Sequence, residues 1–215
     1  MGKKWSNENL PGALHFLTGK VINRIPVFKD EACCKGFLEV LRDLLNSWPS
    51  KIIAYVVMPD HFHLILNPRD GNIQGFAAAL KSLGAKKIIE VTGGKQFLLE
   101  KPDKDGSIHQ VWQESFKDVS LWSGWMISQK INYIHANPVK AKLVSSAKDY
   151  IWSSFRAFYF DSNEPLPVDH DWWWPDDAEK LSKAQKELGW RTYHHRDQKP
   201  KNKHQEKSNT SKKNK

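Results

Sequence analysis

The chain has little cysteine and no long apolar run. Its two cysteines, Cys33 and Cys34, are adjacent, and neighbouring cysteines rarely form a disulfide or supply the spacing of a metal site. No apolar stretch approaches the roughly 20 residues of a membrane-spanning helix, and the first twelve residues lack the apolar centre of a signal peptide. These absences argue against a disulfide scaffold and against contact with a membrane. We expect a protein of the reducing cytoplasm.

Charged and apolar residues are distributed unevenly along the chain. The net charge is +9, yet residues 161–177 contain six acidic side chains and no basic one. Residues 178–215 contain 12 basic and 4 acidic side chains, and from position 196 onward no aliphatic or aromatic residue occurs. A basic protein attracts polyanions such as nucleic acid, although a charged tail can also serve solubility alone. A segment without apolar residues cannot build a core, so we predict disorder over 196–215.

The periodicity of the apolar residues predicts an α+β protein. We expect helices over 30–48 and 72–90 and strands over 13–18, 51–58, 61–66 and 108–112. The middle two strands read as a hairpin closed by a tight turn. The resulting order is that of the ferredoxin-like fold, in which one antiparallel sheet carries helices on one face. A third helix over 119–135, stopped by Pro138, is predicted as an addition to this core.

Two histidines stand one residue apart in the segment MPDHFHLIL, residues 58–66. Side chains alternate along a strand, so His61 and His63 share one face of the predicted sheet and Phe62 faces the other. Two imidazoles on a rigid strand can form half of a metal site. A His-x-His pair also occurs often by chance, as two partly exposed polar residues. The pair alone leaves both interpretations open.

The predicted third helix carries a tyrosine and an amide on one face. In QKINYIHANPVKAKLV, residues Gln129, Tyr133 and Asn137 are spaced by four and therefore lie on one side of a helix. Tyrosines in helices usually anchor packing and keep the hydroxyl in water. Asn137 precedes a proline, which also suits a helix terminator. The residues themselves do not decide between these ordinary roles and a shared site.

The sequence closely resembles a transposase family in four blocks: MPDHFHLIL, VWQESF, YIHANPVKAKLV and YIWSSF. The family is that of the REP-associated tyrosine transposases, which belong with the single-tyrosine HUH transposases of small insertion sequences. The resemblance implies that His61 and His63 are catalytic metal ligands, that Tyr133 attacks DNA, and that Asn137 completes the metal site. Asp60 stands where the family motif more often has Asn.

The resemblance covers residues 11–160, which we predict to form the HUH transposase-like catalytic domain. The segment 161–195 is predicted to be an acidic, tryptophan-rich extension, followed by the disordered basic tail over 196–215. Neither of these two segments is covered by the resemblance. Trp172, Trp173 and Trp174 in the extension suit either stacking on unpaired bases or anchoring of the segment on the domain.

The activity implied by this resemblance is nicking and rejoining of single-stranded DNA through a 5′-phosphotyrosine. A phenol, with a pKa of about 10, is a poor nucleophile at neutral pH. A divalent cation on a phosphate oxygen makes the phosphorus more electrophilic. Two imidazoles and an amide oxygen suit Mg²⁺ or Mn²⁺ better than a closed zinc site. The implied substrates are single-stranded hairpins from repetitive palindromic elements.

Six further residues are candidates for DNA contacts: Lys81, Lys86, Lys87, Trp112, Lys140 and Lys142. Lysines can follow phosphates and fix the register of DNA. For any single lysine, however, a solvated side chain is the ordinary case. Packing on the core is at least as good an interpretation of Trp112 as contact with DNA.

Two other functions remain open. A replication initiator or relaxase-like nickase uses the same metal and tyrosine chemistry, but such proteins often carry a second nucleophilic tyrosine or a helicase domain. A domesticated DNA-binding protein that no longer cuts would not need the complete set of catalytic residues. The preferred prediction is a metal-dependent tyrosine transposase that acts on DNA as a monomer or homodimer.

Overall fold

A computed structural model describes residues 13–103, 106–114, 116–121 and 123–171. The strands are Leu14–Lys20 (β1), Ser50–Met58 (β2), His61–Pro68 (β3) and Lys117–Leu121 (β4). The helices longer than one turn are Glu31–Ser47 (α1), Ile73–Thr92 (α2), Gly124–Lys140 (α3) and Phe155–Phe160 (α4). None of the helices in these ranges is long and apolar enough to cross a membrane. The predictions for residues 172–174 and for the tail 196–215 lie outside the described residues.

The four strands form one antiparallel sheet in the order β2-β3-β1-β4. This is the ferredoxin-like arrangement, so the predicted α+β fold is confirmed. β2 and β3 form the expected hairpin, with Met58 paired to His61. On its other side β3 pairs with β1, which places Thr18 opposite His63 and Lys20 opposite His61. The register therefore brings the histidine end of β3 beside the end of β1.

Each face of the sheet has its own hydrophobic core. On one face α1 and α2 cover the strands, and Phe37 and Leu80 pack with Phe62. On the other face α3 packs through Ile131 and neighbouring residues against Ile65 of β3. His61 and His63 lie on the same face as Ile65, the face that α3 covers, because side chains alternate between the two faces of a strand.

The predicted strand over 108–112 is wrong. Within this segment His109 and Trp112 make only isolated bridges, to Leu98 and Val21. The fourth strand is Lys117–Leu121, which pairs along β1. The predicted start of the third helix at residue 119 is too early, because Val119 and Leu121 belong to this strand. α3 begins later, at Gly124, where the Ser123 hydroxyl accepts a hydrogen bond from the Met126 backbone N–H at 3.2 Å.

Pro138 does not stop α3, so this prediction is also wrong. The helix continues to Lys140. A proline removes one backbone donor, and here the loss falls in the last turn while the proline ring itself is buried. Asn137 is consequently helical and lies one turn after Tyr133, rather than in a terminating loop.

The residues that follow α3 run along the outer edge of β2. The Val57 N–H donates to the Trp152 carbonyl at 2.9 Å, and the Ser154 N–H donates to the Tyr55 carbonyl at 2.9 Å. Leu166, inside the predicted extension, is 2% exposed and belongs to the core beneath α1 and α2. The described start of the extension therefore packs on the sheet, and the boundary at residue 160 stays a prediction.

Candidate active site

His61 and His63 lie side by side at the start of β3. Their ring centroids are 5.0 Å apart, as expected for neighbours on one strand face. Nδ1 of His63 lies 2.7 Å from the Thr18 hydroxyl, and Nδ1 of His61 lies 2.6 Å from Oδ1 of Asp60. Because each ring is held through Nδ1, Nε2 is the nitrogen that each ring can offer to a ligand.

Tyr133 meets this pair from α3. Its ring packs edge-on against His63, with the centroids 5.3 Å apart. Phe16 of β1 stacks on His63 at 5.1 Å and contacts Tyr133 at 6.0 Å. Tyr133 is 38% exposed whereas His63 is 5% exposed. Tyr133 therefore contacts the buried imidazole of His63 on one side and solvent on the other, and Phe16 packs against both rings.

Burial favours the neutral form of both histidines. The pKa of His63 is lowered to about 3, chiefly by burial and in smaller part by the nearby charges of His61 and Lys130. Burial also lowers the pKa of His61, although the hydrogen bond and charge of Asp60 act in the opposite direction. A metal ion needs the neutral imidazole, because only that form has a free lone pair.

Two buried polar atoms at this site lack a hydrogen-bond partner among the described residues. They are Nε2 of His63 and Nδ2 of Asn137. Buried polar atoms are nearly always satisfied, so each of these two atoms is open to a further partner. The nitrogen and oxygen of an amide exchange places by rotation, and Asn137 can thus offer its oxygen. The described residues contain no group of three His, Cys, Asp or Glu side chains suited to a metal, so a cation at the histidine pair would need a third ligand of another kind, such as this amide.

Two lysines flank the tyrosine. Nζ of Lys130 lies 4.7 Å from the Phe16 ring centroid and 5.7 Å from that of Tyr133. Nζ of Lys140 lies 5.8 Å from the Tyr133 centroid. Positive charge therefore surrounds the phenol, where a phosphodiester would be attracted. Lys140 was a predicted DNA contact, whereas Lys130 was missed, although its position three residues before Tyr133 on a helix is a usable signal.

The candidate lysines of α2 lie on the opposite side of the sheet from Tyr133. Nζ of Lys81 donates to the carbonyls of Gln113 and Glu114 at 2.8 and 3.2 Å, and burial lowers its pKa. Lys87 forms an ion pair with Glu90 at 3.2 Å. These contacts give Lys81 and Lys87 structural roles, and their binding to DNA stays a prediction. Lys86 on α2 and Lys142 after α3 are exposed.

Trp112 is part of the core. It is 6% exposed, its ring packs against Phe62 with the centroids 5.5 Å apart, and its indole N–H donates to the Lys81 carbonyl at 2.7 Å. Of the two interpretations that the sequence left open, packing on the core is the one that the structure bears out. Contact with a base would require the indole to leave its place.

The site also contains residues that sequence reasoning did not select. Phe16 and Thr18 face the histidines because they alternate on β1 and because β1 pairs with β3 in one particular register. Arg24 forms an ion pair with Asp60, with Nε 2.6 Å from Oδ2. The period of two could have placed Phe16 and Thr18 on a common face. No local signal could have shown which strand they would oppose.

Residues 14–137, more than half of the chain, match the family described as transposase IS200 like. The chain belongs to this family of IS200-like transposases. The resemblance drawn from the four sequence blocks is thereby confirmed, as is the prediction of a transposase.

This IS200-like transposase is also similar to two known proteins. A Haemophilus influenzae protein, provisionally named as a REP-associated tyrosine transposase, is 24% identical over 146 residues, covering 67% of this chain and 80% of that protein. A solved structure of a REP-associated tyrosine transposase bound to a REP hairpin aligns with a TM-score of 0.58 at 20% identity. This alignment covers 79% of this chain and 93% of the other. It shows that the two chains share a fold.

Proposed function

We propose that this IS200-like transposase nicks and rejoins single-stranded DNA with Tyr133 as its nucleophile. The observation that carries the proposal is the contact between the partly exposed Tyr133 ring and the buried His63 ring, 5.3 Å apart. A nucleophile must meet both its substrate and the groups that activate it. Tyr55 and Tyr150 are buried and donate their hydroxyls to the carbonyls of Leu166 and Val57.

In the proposed reaction the phenolic oxygen of Tyr133 attacks the scissile phosphorus. A bond forms between phosphorus and the tyrosine oxygen while the bond from phosphorus to the 3′ oxygen breaks. The phenol loses its proton, and the released 3′ oxygen takes one up to become a hydroxyl. Because the 5′-phosphotyrosine keeps the energy of the broken bond, a 3′-hydroxyl can rejoin it. Lys130 and Lys140 supply positive charge close to the phenol, where negative charge builds up.

His61, His63 and Asn137 would hold Mg²⁺ or Mn²⁺. When bound, such a cation polarises a phosphoryl oxygen and neutralises developing charge. Three features support this assignment: the lowered pKa values of both imidazoles, the Nδ1 atoms held by Thr18 and Asp60 and the unsatisfied buried atoms of His63 and Asn137. The oxygen of an amide suits a hard cation.

The proposed substrate is a single-stranded hairpin of the REP type. The solved structure with the shared fold is described as bound to a REP hairpin, and the Haemophilus influenzae relative is named for the same elements. A net charge of +9 favours a polyanionic partner. The cytoplasmic location and the state of monomer or homodimer stay predictions.

The proposal is tested by trapping the covalent intermediate. Wild-type protein, incubated with a labelled single-stranded hairpin and Mn²⁺, should give a protein–DNA band that resists denaturant, and peptide mapping should place the phosphate on Tyr133. Tyr133→Phe should bind the hairpin but form no adduct, with little loss of stability because the hydroxyl is at a wet surface.

Tyr150→Phe is the matched control, because it removes the same atom at a buried position. It loses the 2.7 Å hydrogen bond to the Val57 carbonyl and should cost about 1–2 kcal/mol of unfolding free energy while keeping the adduct. An adduct that persists in Tyr133→Phe, or that maps to another tyrosine, would overturn the assignment.

A further inference from the structure

The segment that joins β1 to α1 contains two residues in a backbone conformation that side chains disfavour. Asn23 and Arg24 have φ angles of +50° and +57°, in the left-handed region where Cβ crowds the backbone. Asparagine tolerates this region moderately well, but arginine gains nothing from it locally. Such strain persists only where surrounding contacts impose it, and it concentrates at functional sites.

The strained residue places its guanidinium on Asp60. Nε of Arg24 lies 2.6 Å from Oδ2 of Asp60, and the other oxygen of the same carboxylate, Oδ1, lies 2.6 Å from Nδ1 of His61. The carboxylate therefore bridges the arginine and the histidine, with one oxygen for each. In this arrangement the imidazole donates its Nδ1–H to a carboxylate that a second, permanent charge holds in place.

The backbone ties the same two segments together. The Val21 N–H donates to the Asp60 carbonyl at 2.9 Å, and the Phe28 N–H donates to the Pro59 carbonyl at 2.9 Å. Hydrogen bonds on both sides of Arg24 in the chain thus tie its segment to the turn that carries Asp60. The side-chain bridge lies within a braced corner of the fold and is more than a chance surface pair.

His61 needs such a holder more than His63 does. His63 sits inside the strand, 5% exposed, against Thr18 and Phe16. His61 is the first residue of β3, directly after the turn, and is only half-buried. A ligand histidine is oriented by the partner of its other nitrogen, and at His61 that partner is itself on a turn.

We propose that Arg24 is a positioning residue, which holds the Asp60 carboxylate so that His61 keeps the Nδ1–H tautomer and directs Nε2 to the cation site. This role rests on the proposed metal-assisted function. Arg24 belongs to neither the histidine motif nor the tyrosine motif in the sequence. Arg24 touches neither substrate nor cation in this scheme.

The first measurement is the tautomer of His61 in the full, metal-free chain, read from imidazole ¹⁵N chemical shifts. Wild type should show Nδ1–H. Asp60→Asn should retain it, because an amide oxygen accepts the same hydrogen bond, whereas Asp60→Ala should shift His61 toward Nε2–H. Arg24→Ala should give a mixture of the two tautomers. A wild-type His61 that already carries its proton on Nε2 would overturn the proposal.

The second measurement separates positioning from stability. Arg24→Gly removes the guanidinium and also relieves the left-handed strain, so its melting temperature should stay level or rise. Its affinity for Mn²⁺, measured by electron paramagnetic resonance, should nevertheless fall about 10-fold, the lower end of the range for loss of a ligand histidine's own partner, because Arg24 acts on His61 through Asp60. Arg156→Ala, which removes an exposed guanidinium from α4, should leave Mn²⁺ affinity within about twofold of wild type.

Unchanged Mn²⁺ affinity and an unchanged tautomer in Arg24→Gly would overturn the role of Arg24. An equal loss of affinity in Arg156→Ala would also overturn it, because net charge would then be the cause. Failure of the proposed function gives a different pattern. In that case wild type forms no tyrosine adduct, yet the tautomer and Mn²⁺ affinity still depend on Arg24.

Discussion

Replacing Thr18 with valine isolates the hydrogen bond that orients His63. The two side chains have nearly the same shape, so the substitution removes the hydroxyl and leaves the packing between β1 and β3 in place. The Thr18 hydroxyl lies 2.7 Å from Nδ1 of His63, and both residues are 5% exposed. Water cannot readily take the place of the lost partner at this depth.

We expect Thr18→Val to lower both the stability of the protein and its affinity for Mn²⁺. Nε2 of His63 already lacks a partner among the described residues, so in Thr18→Val both ring nitrogens are unsatisfied and buried. One such loss costs about 1–3 kcal/mol of unfolding free energy. For Mn²⁺ we expect an affinity loss of about 10- to 100-fold, which corresponds to about 1.4–2.7 kcal/mol.

Urea unfolding and Mn²⁺ titration of the same preparations provide the test. Thr92→Val is the matched control, because its hydroxyl donates to the Ile88 carbonyl at 2.7 Å on α2, in the layer on the other face of the sheet. It should lower stability by about 1 kcal/mol and leave Mn²⁺ affinity unchanged. If Thr18→Val loses stability but binds Mn²⁺ like wild type, the Thr18–His63 bond is structural only and the orientation argument for His63 is refuted.

Two further outcomes follow from charge and burial. Lys130→Gln should slow formation of the tyrosine adduct about tenfold or more with little change in hairpin affinity. Lys148→Gln, at an exposed position, should form the adduct at the wild-type rate. Equal rates in the two variants would contradict a role for Lys130. Burial raises the pKa of the Cys34 thiol to about 12 and raises the pKa values of the Tyr55 and Tyr150 phenols. Stability should therefore be complete below about pH 9 and should fall as the pH rises, by up to about 1.4 kcal/mol per unit for each group, because the unfolded chain loses these protons first. Urea midpoints at pH 8, 9, 10 and 11 test this, and a flat profile would contradict it.

The parts of the site that follow from local periodicity could be predicted. The common face of His61 and His63 follows from the alternation of a strand, and the relation of Tyr133 to Asn137 follows from the helical repeat. The meeting of Tyr133 with His63 depends on α3 packing across the open face of the sheet. That packing is a tertiary choice, and neither segment encodes it alone.

The errors have equally specific causes. The segment 108–112 contains strand-forming residues, but the fourth strand of this sheet is the segment that pairs with the free edge of β1. Lys117–Leu121 occupies that edge. Pro138 is a strong helix breaker by itself, yet burial of its ring and its position in the last turn allow α3 to continue. Thr18 and Arg24 were missed because they reach their partners through contacts between segments 36 or more residues apart in the chain.

The distribution of the candidate groups over two elements has a mechanical consequence. Both histidines belong to the sheet, whereas Tyr133 and Asn137 belong to α3, which rests on the sheet through Ile127, Ile131 and Ile134. A rigid shift of this helix carries the phenol and the amide together and leaves the imidazole pair as it was. The distance from the phenol and the amide to the imidazoles is therefore set by the packing of these three isoleucines on the sheet, and a change in their size would alter it for both groups at once.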